Sequence, residues 1–194
     1  MYSMSHVAVL AATLLAVGCA HQINITPPLN TLAAKDIVKI DKAVGYYISP
    51  ADMSKEVETP GGGGDKVKYL PYKESEPAMK QVLSNLFTKV VQMPSLDDKQ
   101  FIAGNNIAYV FVPKIETDSA SDSSFTWPPT RFTVTLECRA VDPSGATVWQ
   151  TKVSGQGYAE FSEFKNDMSL SARRASRDAF LRLQQEIGAA KEFR

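Results

Sequence analysis

The sequence predicts an α+β fold: two layers, a mostly antiparallel four-stranded sheet with two helices on one face, in the order β-α-β-β-β-α. Three observations carry that expectation. Apolar residues recur at steps of three and four over 77–92 and again over 167–187, the period of helices buried on one side. Between them, apolar residues alternate with polar ones or run continuously, as in strands. The stretch Asp142-Pro143-Ser144-Gly145 then separates two such segments with turn chemistry, since proline presets φ and glycine tolerates positive φ.

In chain order, order is expected to begin near Asp36. Val38, Ile40, Val44, Tyr46 and Ile48 share one parity and form the first strand, which Pro50 ends. Residues 51–77, rich in charge and glycine, read as a mobile surface loop. Tyr69 and Tyr72 are its aromatics, and Gly61 to Gly64 its most flexible point. Those glycines lack Walker spacing and its Lys-Ser/Thr pair, so phosphate cradling is not expected.

Glu76-Pro77 opens a helix in which Met79, Val82, Leu83, Leu86, Phe87 and Val90 face the core, with Pro94 beyond its end. Ile107 to Val112 is continuously apolar, and Asp118 to Ser124 reads as a solvated acidic loop without the ligand order of a calcium site. After Trp127-Pro128-Pro129-Thr130, the residues Phe132, Val134, Leu136, Cys138 and Ala140 alternate with Thr133, Thr135, Glu137 and Arg139. A return strand runs from Ala146 to about Val153, with Gly155 and Gly157 expected as a bulge or frayed end.

The last helix, capped by Asn166 or Asp167, presents Ala172, Ala175, Ala179, Phe180, Leu183 and Ile187. Its three alanines allow close approach to a sheet. Arg173, Arg174, Arg177 and Arg182 fall on or beside the wet face.

The bulk numbers exclude several classes. The 194 residues suit one domain, and 21 basic against 21 acidic side chains leave no basic surplus for nucleic acid. Beyond residue 18 the only histidine is His21, so a histidine-based triad or zinc site is not expected. No Gly-x-Ser-x-Gly elbow occurs, and the acidic pairs Asp97-Asp98 and Asp118/Asp122 lie in loops. The expectation is a non-enzyme with no catalytic residues, no metal and no cofactor. Cys138, inside a strand, reads as a small buried hydrophobe.

The N-terminal region says most about location. The apolar run Val7 to Val17 has the length of a signal-peptide core, short of the roughly 20 residues that span a bilayer. It ends in Leu15-Ala16-Val17-Gly18-Cys19, which resembles the lipobox of bacterial lipoproteins, with Ala16 where leucine is usual. The resemblance implies a signal peptide over 1–18, an acylated Cys19 at the mature N-terminus, a lipidated tether over 19–35 and a periplasmic domain over 36–194. Ala20, where aspartate tends to retain such proteins at the inner membrane, implies the periplasmic face of the outer membrane. Without acylation, a Cys19–Cys138 disulfide becomes possible.

Anchor, tether and element order together resemble small periplasmic lipoprotein domains of the curli-secretion, penicillin-binding-protein-activator and Tol amino-terminal type. That resemblance covers about residues 36–190 as architecture only; the first functional expectation is a non-enzymatic outer-membrane lipoprotein that serves as an envelope accessory protein and docks a periplasmic partner. Exposed aromatics beside prolines suit docking, which places the contact on Tyr69 and Tyr72 of the 51–77 loop together with Trp127, Pro128 and Pro129. For Trp127, a plug at the sheet edge is the other reading. The alternative function is a lipid- or small-molecule-binding auxiliary subunit of an envelope transporter, with an apolar cavity between helix 77–92 and the sheet.

Overall fold

A computed structural model describes residues 20–33, 38–122 and 127–194. In chain order these form β1 (Ala20–Gln22), β2 (Ile40–Tyr46), α1 (Pro50–Met53), β3 (Val57–Pro60), β4 (Lys66–Tyr69), α2 (Pro71–Leu86) and β5 (Phe87–Gln92). Then follow α3 (Lys99–Gly104), β6 (Ile107–Ala120), β7 (Arg131–Val141), β8 (Thr147–Tyr158), α4 (Phe161–Phe164) and α5 (Leu170–Ala189). Single 3-10 turns occupy Leu29–Leu32 and Lys191–Phe193.

The α+β class holds, but the sheet differs from the expected one. Among the described residues it has five strands in the order β5-β2-β6-β7-β8, and a second sheet of three runs β1-β4-β3. Strand β2 is parallel to both β5 and β6, while β6, β7 and β8 are antiparallel neighbours. The extra strand comes from the stretch expected to be one helix over 77–92. Helix α2 begins earlier, with Pro71 in its first turn, and stops at Leu86; Phe87–Gln92 then pairs with β2. Thr88, Val90 and Val91 are β-branched and fit a pleated edge, and the unpaired side of β2 supplies the hydrogen bonds that decide the matter. Pro77 is tolerated inside α2 because the carbonyl left unpaired belongs to exposed Lys73, which can turn to water.

Residues 51–77 are likewise not a loop. They contain α1, the β3–β4 hairpin and the start of α2, and Gly63 and Gly64 take φ of 67° and 86° in the hairpin turn. Nor do residues 20–33 behave as a tether. Ala20–Gln22 adds to β4, and Ile23, Ile25 and Leu32 are buried in the main core. The Glu74 carboxylate accepts the Ile25 N–H at 2.7 Å, and Asn85 donates to the Leu32 carbonyl at 2.8 Å. Three apolar residues spread over ten positions have no readable period, yet each one is buried in the main core.

Strand β6 runs straight through Pro113 and takes in part of the expected acidic loop; Ser123 and Ser124 of that loop lie outside the described residues. Tyr47 donates to the Phe111 carbonyl at 2.9 Å, so alternate residues of β6 face β2. Strand β2 pairs only as far as Phe111, so Pro113 lacks its N–H where no neighbour would accept it. Two residues on, the Ile115 N–H donates to the Tyr72 hydroxyl at 3.2 Å.

Helices α2 and α5 share one face of the sheet and touch each other, Asn85 donating to the Gln184 amide oxygen at 2.7 Å. The opposite face carries a smaller cluster of Met93, Ile102, Ile107, Val110 and Val141 beside α3. Elsewhere it is polar, with Lys114 2.9 Å from Glu116 and both more than half exposed. The alanine stripe does what its small side chains predict. Gly155 and Gly157 are ladder residues opposite Val134 and Phe132, not a bulge or frayed end. A Cβ on Gly157 would stand 1.9 Å from the Ser171 carbonyl oxygen, so α5 lies directly on β8. The helix starts at Leu170 rather than 167. Asp167 accepts the Ser169 N–H at 3.0 Å just ahead of it, and the side chain of Ser169, the residue before the helix, makes no capping bond.

Candidate functional site

The five residues expected to dock a partner are built into the fold. Strand β4 alternates Val67 and Tyr69 inward, and Tyr69 is 0% exposed. Its hydroxyl donates to Thr117 at 2.7 Å and its ring meets Phe132 edge-on at 5.4 Å. Burial pushes the Tyr69 phenol above its ordinary range. Tyr72 is buried at the start of α2, its hydroxyl taken by Ile115. Pro128 and Pro129 are buried, and the Pro129 carbonyl accepts the Ser171 hydroxyl at 2.7 Å. Trp127 is half-buried, stacked on His21 with centroids 4.1 Å apart, and its carbonyl accepts the Gly62 N–H at 3.0 Å. An exposed docking surface made of these five is therefore corrected: aromatics read as exposed on a loop instead fill the seam between the two sheets. Cys19 lies outside the described residues.

What Trp127 and its neighbours do assemble is one pole of the domain. His21 sits 3.2 Å from Asp65, Gly62 meets Trp127, Ala159 donates to Thr130 at 2.9 Å, and Asn24 donates to Ser169 at 3.0 Å. The chain's first described residues, the β3–β4 turn, the end of β8 and the start of α5 thus converge.

The opposite pole holds a cleft of about 730 Å³ where β2 begins and α2 and α5 end. Ile40, Leu86 and Phe193 supply its apolar floor, and Lys39, Lys42 and Arg194 its cations, which outnumber the carboxylate of Asp41 on the same rim. Phe193 is placed by an aromatic nest, with ring centroids 5.1 Å from Tyr109, 5.3 Å from Phe111 and 5.4 Å from Trp149. Arg194 donates to the Gly188 carbonyl at 2.9 Å, and the Lys42 ammonium lies 6.0 Å from the Tyr109 ring. Val38, at the mouth, is 91% exposed. An apolar floor rimmed by cations suits a ligand or peptide segment with an apolar body and an anionic group. Reading the last helix only to Ile187 missed Phe193; an aromatic after a run of Gly188, Ala189 and Ala190 was the available signal.

The cavity anticipated between α2 and the sheet is filled by Met79, Val82 and Leu83, all buried. The cleft opens at the end of that seam instead. Reactive groups are scarce. Among the described residues no group of three or more His, Cys, Asp or Glu side chains is placed to hold a metal ion. Burial pushes the Cys138 thiol up to about 12, so it stays protonated inside β7. None of the described helices is long and apolar enough to cross a membrane.

No family model and no curated protein matches the sequence. Solved structures do show a likeness. A DUF330-family protein from Xanthomonas campestris aligns with 88% of this chain and 91% of its own, at 10% identity and a TM-score of 0.48. The PelC dodecamer from Paraburkholderia phytofirmans aligns over 78% of this chain and 92% of its own, at 11% identity and a TM-score of 0.46. A Caulobacter crescentus structure described as a lipoprotein aligns over 67% and 84%, at 12% identity and a TM-score of 0.36. At these values the chain is similar to all three and assigned to no family.

Proposed function

We propose that this protein is a non-enzymatic accessory lipoprotein of the bacterial envelope, held to the periplasmic face of the outer membrane through Cys19 and offering its far end to a partner. One observation carries the reading: the first described residues and the cleft sit at opposite ends of α5. Twenty helical residues separate those ends by about 30 Å. An anchor at one pole leaves the cleft facing away from the bilayer.

The partner segment that fits combines apolar and acidic groups. The cleft volume favours a second reading, since about 730 Å³ falls within the roughly 300–1,000 Å³ of small-molecule sites. In that reading an anionic amphiphile occupies the cleft and the protein assists a transporter.

Photo-crosslinking in living cells separates the two. A crosslinker at exposed Gln185 yields a protein adduct in the first case and a lipid adduct in the second, and K39E/K42E abolishes either. Equal adducts from Ser154, exposed at the far sheet edge, defeat both readings. Metabolic labelling with a clickable fatty acid checks the anchor: incorporation that survives Cys19→Ala refutes acylation at that residue.

A further inference from the structure

The pole that carries the first described residues also carries three of the large exposed apolar side chains found among the described residues. Phe161 is 68% exposed, Tyr158 50% and Met168 41%. Tyr158 closes β8, Phe161 begins α4 and Met168 precedes Ser169, which accepts the Asn24 N–H. These residues are held in place. Arg174 on α5 donates to the Tyr158 carbonyl at 2.7 Å and to both Glu163 oxygens at 3.1 and 2.8 Å. A capping box between Glu160 and Glu163 opens α4, and the Phe161 ring leans edge-on against buried Phe164 at 5.7 Å.

A single-turn helix thus displays a phenyl ring to solvent at the pole that also carries the first described residues. The residues preceding Ala20 include the apolar run Val7 to Val17 and Cys19. The arginines around the patch are matched, Arg131 with Asp122, Arg173 with Asp167 at 3.0 Å and Arg174 with Glu163, and exposed Lys165 is offset in charge by exposed Glu160. A neutral rim around aromatic and thioether groups suits the boundary between headgroups and acyl chains of a lipid bilayer. It does not suit a polyanion.

The geometry points to this patch as a membrane-contacting face: Phe161, Tyr158 and Met168 enter the lipid interface next to the anchored N-terminus and fix the domain's tilt. The inference rests on the lipoprotein reading above. An acyl anchor alone leaves orientation free; a second contact removes that freedom and turns the cleft outward.

The test uses the full acylated chain in phosphatidylcholine/phosphatidylglycerol vesicles, with a nitroxide on S162C, adjacent to an intact Phe161. A second label on V38C reports the cleft pole. Cys138 is fully buried and stays unlabelled. Collisional accessibility to oxygen and to a water-soluble nickel chelate is expected to place the S162C label within roughly 5–10 Å of the headgroup boundary. The V38C label remains aqueous. Adding F161S to S162C returns that label to water while the protein stays on the vesicles, and raising the salt to 1 M leaves its depth unchanged.

A fully water-accessible S162C label on vesicle-bound protein overturns the inference and leaves the anchor intact. So does a label that withdraws in salt. Uptake of nitroxide by the chain without an introduced cysteine shows Cys19 to be free, which overturns the anchor and this inference with it.

Discussion

Gly157→Ala tests how closely α5 lies on the sheet. The added Cβ would fall 1.9 Å from the Ser171 carbonyl oxygen and 2.5 Å from the Ala175 amide nitrogen, where ordinary contact begins at 3.4 Å. Helix and strand must separate by about 1.5 Å, because the obstructing atoms are backbone and cannot rotate away. Overpacking costs about 1–3 kcal/mol, and a gap of even 1 Å forfeits a quarter to a half of the dispersion well along the contact. Ser171, Arg174, Ala175 and Ala179 all lie along that contact, so a loss near the upper end, about 3 kcal/mol, is expected. For a chain of this length that lowers Tm by roughly 6–12 °C.

Thermal and urea unfolding followed by circular dichroism measure it. Two controls sharpen the result. Gly104→Ala meets nothing within 4 Å and should be neutral or slightly stabilising. Adding A175G to G157A should restore little, since the clash involves the main chain at 171 and 175. A G157A protein within about 0.5 kcal/mol of the parent would refute the close-packing argument.

Three further outcomes follow from the same packing. Ile25→Ala should cost about 2–5 kcal/mol in urea unfolding, because Ile25 is fully buried; no change would return residues 20–33 to a tether. Phe193→Ala should cost about 3–5 kcal/mol by removing the ring on which Tyr109, Phe111 and Trp149 converge, and should weaken crosslinking at Gln185. Glu163 bonds to Arg174, which pulls its carboxyl down from 4.5 to about 2. A depressed folded pKa gives a stabilisation fully present above about pH 4.5 that fades as the pH falls toward 2. Urea midpoints of the parent and Glu163→Gln should therefore differ at neutral pH and converge near pH 2; a constant gap would show that the ion pair is not the cause.

The legible and illegible parts of the sequence differ in a physical way. The alternation from Phe132 to Ala140 and the stripe from Ala172 to Ile187 report burial on one side, and both elements formed around those residues. Phe87 and Val90 continued the helical step of α2, yet a strand took them, because period cannot express the hydrogen bonds waiting on β2. Tyr69 and Tyr72 were misplaced for a related cause. A four-residue strand in a glycine-rich stretch carries too little pattern to be seen until a neighbour pairs with it. The cleft was not readable at all, since Ile40, Leu86 and Phe193 come from three distant segments.

By itself the sequence determined the α+β class, the stripe of α5, that of α2 as far as Leu86, the β7–β8 hairpin and the lipobox-like run to Cys19, because each is a local pattern of side-chain chemistry. Tertiary structure alone decided the fifth strand, the burial of Tyr69, Tyr72 and residues 20–33, and the placing of an apolar patch and a cationic cleft at opposite poles. Those depend on which edges and faces meet, and that is a property of the folded chain as a whole.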